Sequence, residues 1–356
     1  MKGAAIATVL ACGFMTVGLA AEGEDAAGAK KPDKPESGQA KREKTKLKWK
    51  SFRVQYMHAG RVRKNTVRLS DSIDTNTPIR GICSHRLSGR GDFTLDAFAH
   101  RNHFALFDRF DGRHPEQWPV QAMLDAAAEA TGHKELKHAR AVVTGLSNVG
   151  RRAARWARGN RDRVLAVILD HSWAPRKPTS GDSLMDLQVV PGIPMFFNSS
   201  YSDTYQDHDR RALHYSWCRS AYRESQQPCT SVIHHEGSGN VHNQAGSRDL
   251  QAVWLEEVLA QRLPDTIPMD GSPYTLKDAD VFKGYTVVAK LVYEHPKAKD
   301  RRKRGRSWHT AVEILPASEE NNQKGSWWLP GPRSAKMYVD WVKRNGGTVK
   351  TDPFPE

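Results

Sequence analysis

A serine stands between an apolar run and a helix-forming run in Ala141-Val-Val-Thr-Gly-Leu-Ser147-Asn-Val-Gly-Arg-Arg-Ala-Ala154. A hydroxyl at such a junction is a candidate nucleophile at the tip of a sharp strand-to-helix turn. The strained backbone there needs a small residue two positions earlier, which Gly145 supplies. Amides at the start of the helix point at the reacting centre, so the N–H of Asn148 is a donor for a developing oxyanion. Val149 occupies the position of the second glycine of a G-x-S-x-G elbow, and Gly150 follows one residue later.

A serine hydroxyl needs a base, and the base needs a carboxylate to orient it; after an elbow of this kind they follow in the order acid, then histidine. The apolar run Ile193 to Phe197 leads into Asn198-Ser-Ser-Tyr-Ser-Asp203, which places a carboxylate just past a buried strand. Asp203 is the candidate acid, with Asp207 and Asp209 close enough to replace it. Farther on, His234-His235-Glu-Gly-Ser-Gly-Asn-Val-His242 lies between a short strand and a helix. His242, in the turn-rich part, is the candidate base and His235 its rival. Adjacent histidines in a strand point to opposite faces, so His234 and His235 do not make one metal site, and no cysteine spacing resembles a zinc site. No metal or cofactor is expected. A second oxyanion donor belongs to the loop after the strand Ile79 to Ile82, which points to the backbone of Cys83, Ser84 or His85. Trp173 is a candidate wall of the substrate pocket, and the thiol of Cys83 reads as buried and inert.

These residues need a sheet and helices to converge. Phe52 to Met57, Thr66 to Leu69 and Ile79 to Ser84 read as short strands forming an antiparallel opening. Strands and helices then alternate: helix Leu95 to His103, strand Phe104 to Phe110, helix Pro115 to Thr131, strand Ala141 to Thr144 and helix Arg151 to Arg158. Val164 to Leu169 and Ile193 to Phe197 are continuous apolar runs, as in strands covered on both faces. A weaker strand, Ser231 to His234, precedes an amphipathic helix over Arg248 to Leu263. This alternation predicts right-handed βαβ units around a mostly parallel sheet. Beyond it, Tyr285 to Tyr293 and Thr310 to Leu315 read as two strands of a small β-rich appendage.

The chain has 356 residues, room for one large α/β domain with additions. Met1-Lys2 followed by the uncharged apolar stretch Gly3 to Leu19 and the small residues ending at Ala21 reads as a signal peptide, which implies a secreted or periplasmic protein with no stable membrane span. The expected organisation is a signal peptide over 1–21, a basic disordered linker over 22–46, a core over 47–263 and a packed appendage over 264–356. Removal of the signal leaves Cys83, Cys218 and Cys229, of which Cys218 and Cys229 close the shorter loop as a disulfide. The net charge of +14 is concentrated in Lys41 to Lys50 and Lys297 to Arg306. Such runs are solvated surfaces or attract anionic polymers and membranes. With no zinc-finger, RNP or zipper-linked basic pattern, a nucleic-acid domain is excluded.

Taken in order, the segments GICSH, TGHKELKHA, AVVTGLSNVGRRAARWA, VLAVILDHSW, GIPMFFNSSYSD and GSGNVHNQAGSRDLQAVWLEEVLAQRLP resemble secreted bacterial α/β-hydrolases. These are esterases related to polyhydroxyalkanoate depolymerases, feruloyl and acetylxylan esterases and dienelactone hydrolases. The likeness covers most of Ile79 to Leu263, and the tail around Gly325 to Pro330 and Ala335 to Val342 also resembles the terminal segment of some members. It implies an α/β-hydrolase fold, a Ser147–Asp203–His242 triad and an ester substrate such as an acylated polysaccharide or a polyester. The histidine loop reads Gly-Asn-Val-His where Gly-His is usual. The rival reading is a non-catalytic protein of the same fold that binds an anionic glycan or surface, since a fold alone does not guarantee chemistry.

Overall fold

The computed structural model describes residues 47–84, 94–108, 119–146, 148–170, 192–200, 218–234, 247–293, 308–344 and 347–354. The expected signal peptide, the linker and the basic run Lys297 to Arg306 lie outside them. Residues Lys46–Glu356 form one compact unit.

The chain enters as a hairpin. Strand β1 (Trp49–His58) pairs antiparallel with β2 (Arg61–Ser70) along its whole length, and Ala59 and Gly60 turn it with φ of 49° and 70°. Positive φ at both central positions matches the right-handed twist of the strands it joins. Seven further elements of sheet and helix follow in alternation: β3 (Gly81–Ser84), α1 (Thr94–Arg101), β4 (Phe104–Phe107), α2 (Val120–Thr131), β5 (Ala141–Leu146), α3 (Asn148–Gly159) and β6 (Val164–Asp170). After them come β7 (Met195–Ser200), helical residues 218–225 (α4), β8 (Cys229–His234) and α5 (Arg248–Arg262). The strands assemble in the order β1-β2-β4-β3-β5-β6-β7-β8. β1, β2 and β4 pair antiparallel, and every pairing from β4 through β8 is parallel. This is the α/β-hydrolase fold that the sequence implied.

The central strands explain their own composition. All seven residues of β6 are buried, because helices cover both faces of a parallel sheet and leave no place for a polar alternate. α3 packs on β5 and β6 through Ala153, Ala154, Trp156 and Ala157 and turns Arg155 and Arg158 outward. α1 and α5 touch each other across the sheet surface. Gly132, at φ 79°, ends α2 and returns its N–H to Ala128 O, a left-handed cap that glycine allows.

The C-terminal part is a second sheet in the order β11-β9-β10-β12, with β9 (Tyr285–Tyr293) and β10 (Trp308–Pro316) as its antiparallel centre. Helix α6 (Glu319–Lys324), β11 (Trp327–Leu329), α7 (Pro332–Arg344) and β12 (Thr348–Thr351) complete it. It is bound to the main sheet by specific polar contacts. Thr230 of β8 donates to Trp328 O and accepts from Trp254 Nε1 of α5 at 2.9 Å. Tyr222 of α4 meets Thr286 Oγ1 at 2.9 Å and Asn322 Oδ1 at 2.6 Å. Pro332 occupies the first turn of α7, where a missing N–H costs nothing. The next amides are taken by α5: Glu257 accepts from Arg333 N at 2.8 Å and Ser334 N at 3.0 Å.

Gly284 precedes β9 at φ 94°, and a Cβ there would collide with the carbonyl oxygen of Leu329. Gly284→Ala is therefore expected to cost about 3 kcal/mol, since backbone strain and overlap add and neither neighbour is a flexible side-chain end. Urea denaturation checks it; an unchanged midpoint would contradict the required close approach.

Cys83, Cys218 and Cys229 are all buried and free, so the expected Cys218–Cys229 disulfide is not formed. Cys229 Sγ instead donates to Cys218 O at 3.3 Å. Burial, and then the neighbouring Cys218, push the Cys229 thiol well above its usual range, which keeps it protonated and slow to exchange.

Candidate active site

All parallel strands point their C-terminal ends to one edge of the sheet, where an open α/β sheet binds its ligands. The register brings those ends level. Leu146, the last residue of β5, stands beside Asp170, the last of β6, and Asp170 stands beside Asn198 of β7. Ser200, the last residue of β7, pairs with His234, the last of β8. β5 ends at Leu146 and α3 begins at Asn148, so a single residue, Ser147, separates a buried parallel strand from a helix N-terminus. Asn148 opens that helix, and Gly145 is buried in the strand before it.

Ser147, Asp203, His242 and Trp173 lie outside the described residues, as do the alternatives Asp207, Asp209 and His235. In the sequence Ser147 directly follows β5, Asp203 comes three residues after the end of β7, and His242 eight residues after the end of β8. Ser84 is the last residue of β3. Cys83 is inside that strand, paired with Leu106 on one side and Val142 on the other, and is wholly buried. Burial first, and the charge of Asp96 second, push its thiol far up, so it stays neutral. No group of three or more metal-ligating side chains occurs among the described residues, and none of their helices is long and apolar enough to cross a membrane.

The same edge contains a polar cluster that the sequence reading did not single out. Asp170 is 2% exposed, and its Oδ1 accepts from Asn198 Nδ2 at 3.1 Å and from Gln251 Nε2 at 3.0 Å. Gln251 Nε2 also reaches Ser247 Oγ at 3.4 Å, and Ser247 is the N-cap residue of α5. Asn198 Oδ1 is buried with no hydrogen-bond partner among the described residues. A buried carboxylate is retained only where donors replace its lost hydration, and two side-chain amides do so here. The cluster therefore fastens three elements together: the end of β6, β7, and the start of α5. One sequence signal pointed to it, a carboxylate closing the apolar run VLAVILD.

No family model matches the chain, and no curated protein matches it. Its neighbours among solved structures are esterases and other hydrolases. A ferulic acid esterase is 12% identical, with 60% of this chain and 98% of that one covered and a TM-score of 0.39. A putative dienelactone hydrolase from Klebsiella pneumoniae is 14% identical, covering 60% and 99%, with a TM-score of 0.42. An acylaminoacyl peptidase from Pyrococcus horikoshii is 11% identical, covering 64% and 44%, with a TM-score of 0.43.

Proposed function

We propose that the chain is a serine hydrolase of carboxylic esters, exported by its N-terminal segment, with Ser147 as nucleophile, His242 as base and Asp203 as acid. The observation that supports this most is the single-residue junction between β5 and α3, which leaves Ser147 between a buried parallel strand and a helix N-terminus. In this reading His242 takes the Ser147 proton as the oxygen attacks the ester carbonyl. The amide of Asn148 and a second donor at or just after the end of β3 hold the oxyanion. The alcohol leaves, taking the proton back from His242. Water, deprotonated by the same imidazole, then releases the acid from the acyl-enzyme. Asp203 keeps the imidazole in the tautomer this cycle needs. The substrate class is an ester, such as those of an acylated polysaccharide or a polyester.

The test is covalent labelling of the mature protein by a fluorophosphonate, together with hydrolysis of a p-nitrophenyl ester. Ser147→Ala is expected to abolish labelling, and His242→Ala to slow it at least ~1,000-fold. A folded wild type that neither labels nor hydrolyses would overturn the reading in favour of a binding protein on this fold.

A further inference from the structure

A pocket of about 250 Å³ opens at the opposite edge of the sheet, where the parallel strands begin. Arg140 enters it just before β5, Arg161 and Asp162 just before β6, and Arg262 from the last turn of α5. Tyr274 and Asp278 close it from the segment after α5. Two of these arginines are buried, at 8% exposure for Arg140 and 3% for Arg262. Neither forms an ion pair with a described residue. Arg140 donates from Nη2 to Tyr274 O and stacks on the Tyr274 ring, 4.9 Å from its centroid. Its Nε is buried without a partner, and so is the Tyr274 hydroxyl. Arg262 spends Nε on Lys277 O at 3.0 Å and Nη1 on the carbonyls of Val164 and Leu165, at 2.9 and 2.5 Å. That leaves Nη1 of Arg140 and Nη2 of Arg262 without protein acceptors.

Buried guanidinia held by neutral carbonyls alone keep most of their desolvation cost. Burial drags the Arg262 guanidinium down to about 10, although the charge of Asp278 acts against it. Asp162 likewise favours the charged form of Arg140 without pairing with it. The two unspent donors, Nη1 of Arg140 and Nη2 of Arg262, come from different elements and face one pocket. Planar forks of this kind match the oxygens of a phosphate, sulfate or carboxylate.

We propose that this pocket is a binding site for a small oxyanion, in which Arg140 and Arg262 supply charge-assisted hydrogen bonds from within and Arg161 closes the mouth. The site lies at the far edge of the sheet from Ser147 and is independent of the ester reading, so failure of either leaves the other standing.

The test is thermal unfolding and isothermal titration of the full chain with inorganic phosphate, against chloride at equal ionic strength. Phosphate is expected to bind at one site and to raise Tm by roughly 5 °C at a hundredfold excess over Kd. Arg140→Gln should remove the effect. Arg161→Gln, a change at an exposed position, should weaken Kd about tenfold, and Asp162→Asn, which removes a like charge, should tighten it severalfold. If Arg140→Gln fails to fold, the two rim variants carry the test. Equal Tm values in phosphate and chloride, or a phosphate effect that survives Arg161→Gln and Asp162→Asn unchanged, would overturn the proposal.

Discussion

Asp170→Ala is expected to lower the unfolding free energy by about 3–5 kcal/mol. The side chain is almost fully buried, and its removal strands the Nδ2 of Asn198 and part of the Nε2 of Gln251 in a site water does not reach. Each orphaned donor costs roughly 1–3 kcal/mol, and donors to a charged acceptor lie at the upper end. Asp170→Asn is the informative companion. It keeps the shape and one acceptor oxygen, so its stability cost is expected at about half that of alanine. Its effect on reactivity should be larger than its effect on Tm. Ser247 begins α5 immediately after the segment carrying His242, and Gln251 is what ties that turn to the end of β6. We expect fluorophosphonate labelling of Asp170→Asn to slow at least ~10-fold at a temperature where the variant is fully folded. Gln251→Ala should do the same, and the double variant should show a coupling of about 1–2 kcal/mol in urea denaturation. Additive stability effects, with labelling rates at wild-type level, would mean that the cluster is ordinary packing.

The outcome for Asp170 bears on how much of the molecule is legible in the sequence. The strands β5, β6 and β7 were legible because parallel strands buried on both faces must be written as continuous apolar runs, and no helix of that length would be. Their order then determined which turns share an edge, so the Ser147 junction was recoverable from local residues alone. What was not legible depends on partners far along the chain. Gln251 occupies a buried position of an amphipathic helix and looks like an ordinary polar interruption until Asp170 is placed beside it. Helix α7 has no local capping side chain, because Gly331 and Pro332 open it and Glu257 of α5 supplies the acceptors. A Cβ at Gly331 would lie 2.5 Å from Glu257 Oε1, so a side chain there would make the capping carboxylate shift. Helix α6 differs: Ser318 accepts from Asn321 N at 3.1 Å, and Ser followed by Glu319 and Glu320 is a start signal that was readable and went unread. The hairpin β1–β2 outran the expected strands because Lys50, Arg61 and Lys64 sit on its exposed positions, where pairing across the ribbon sets its length and apolar content does not.

Acid should weaken the fold in part through Glu135, a tertiary polar contact whose loss lowers stability. The residue lies in the 3-10 turn Lys134–His138 and is 1% exposed. Its Oε1 accepts from His133 Nδ1 at 2.9 Å and from the amide of Ile79, two residues before β3, at 3.0 Å. Burial pushes this carboxyl up, but the His133 ring and the Ile79 amide outweigh burial and hold it below the usual carboxylate range. A folded-state value below the unfolded one, near 4.3, means that the unfolded chain binds the proton more readily. The stabilisation is therefore complete above about pH 5 and is lost as pH falls through the folded-state value. Glu135→Gln should flatten the stability profile between about pH 5 and 3. At neutral pH it should cost about 2–3 kcal/mol, because a charge-assisted acceptor becomes a neutral one and the amide NH2 faces His133. Urea midpoints of both proteins across that range measure it. Curves that stay parallel down to pH 3 would show that Glu135 is not the titrating latch. Convergence of the two curves would show that this buried carboxylate, binding the turn after α2 to the entry of β3, supplies an acid-sensitive part of the stability.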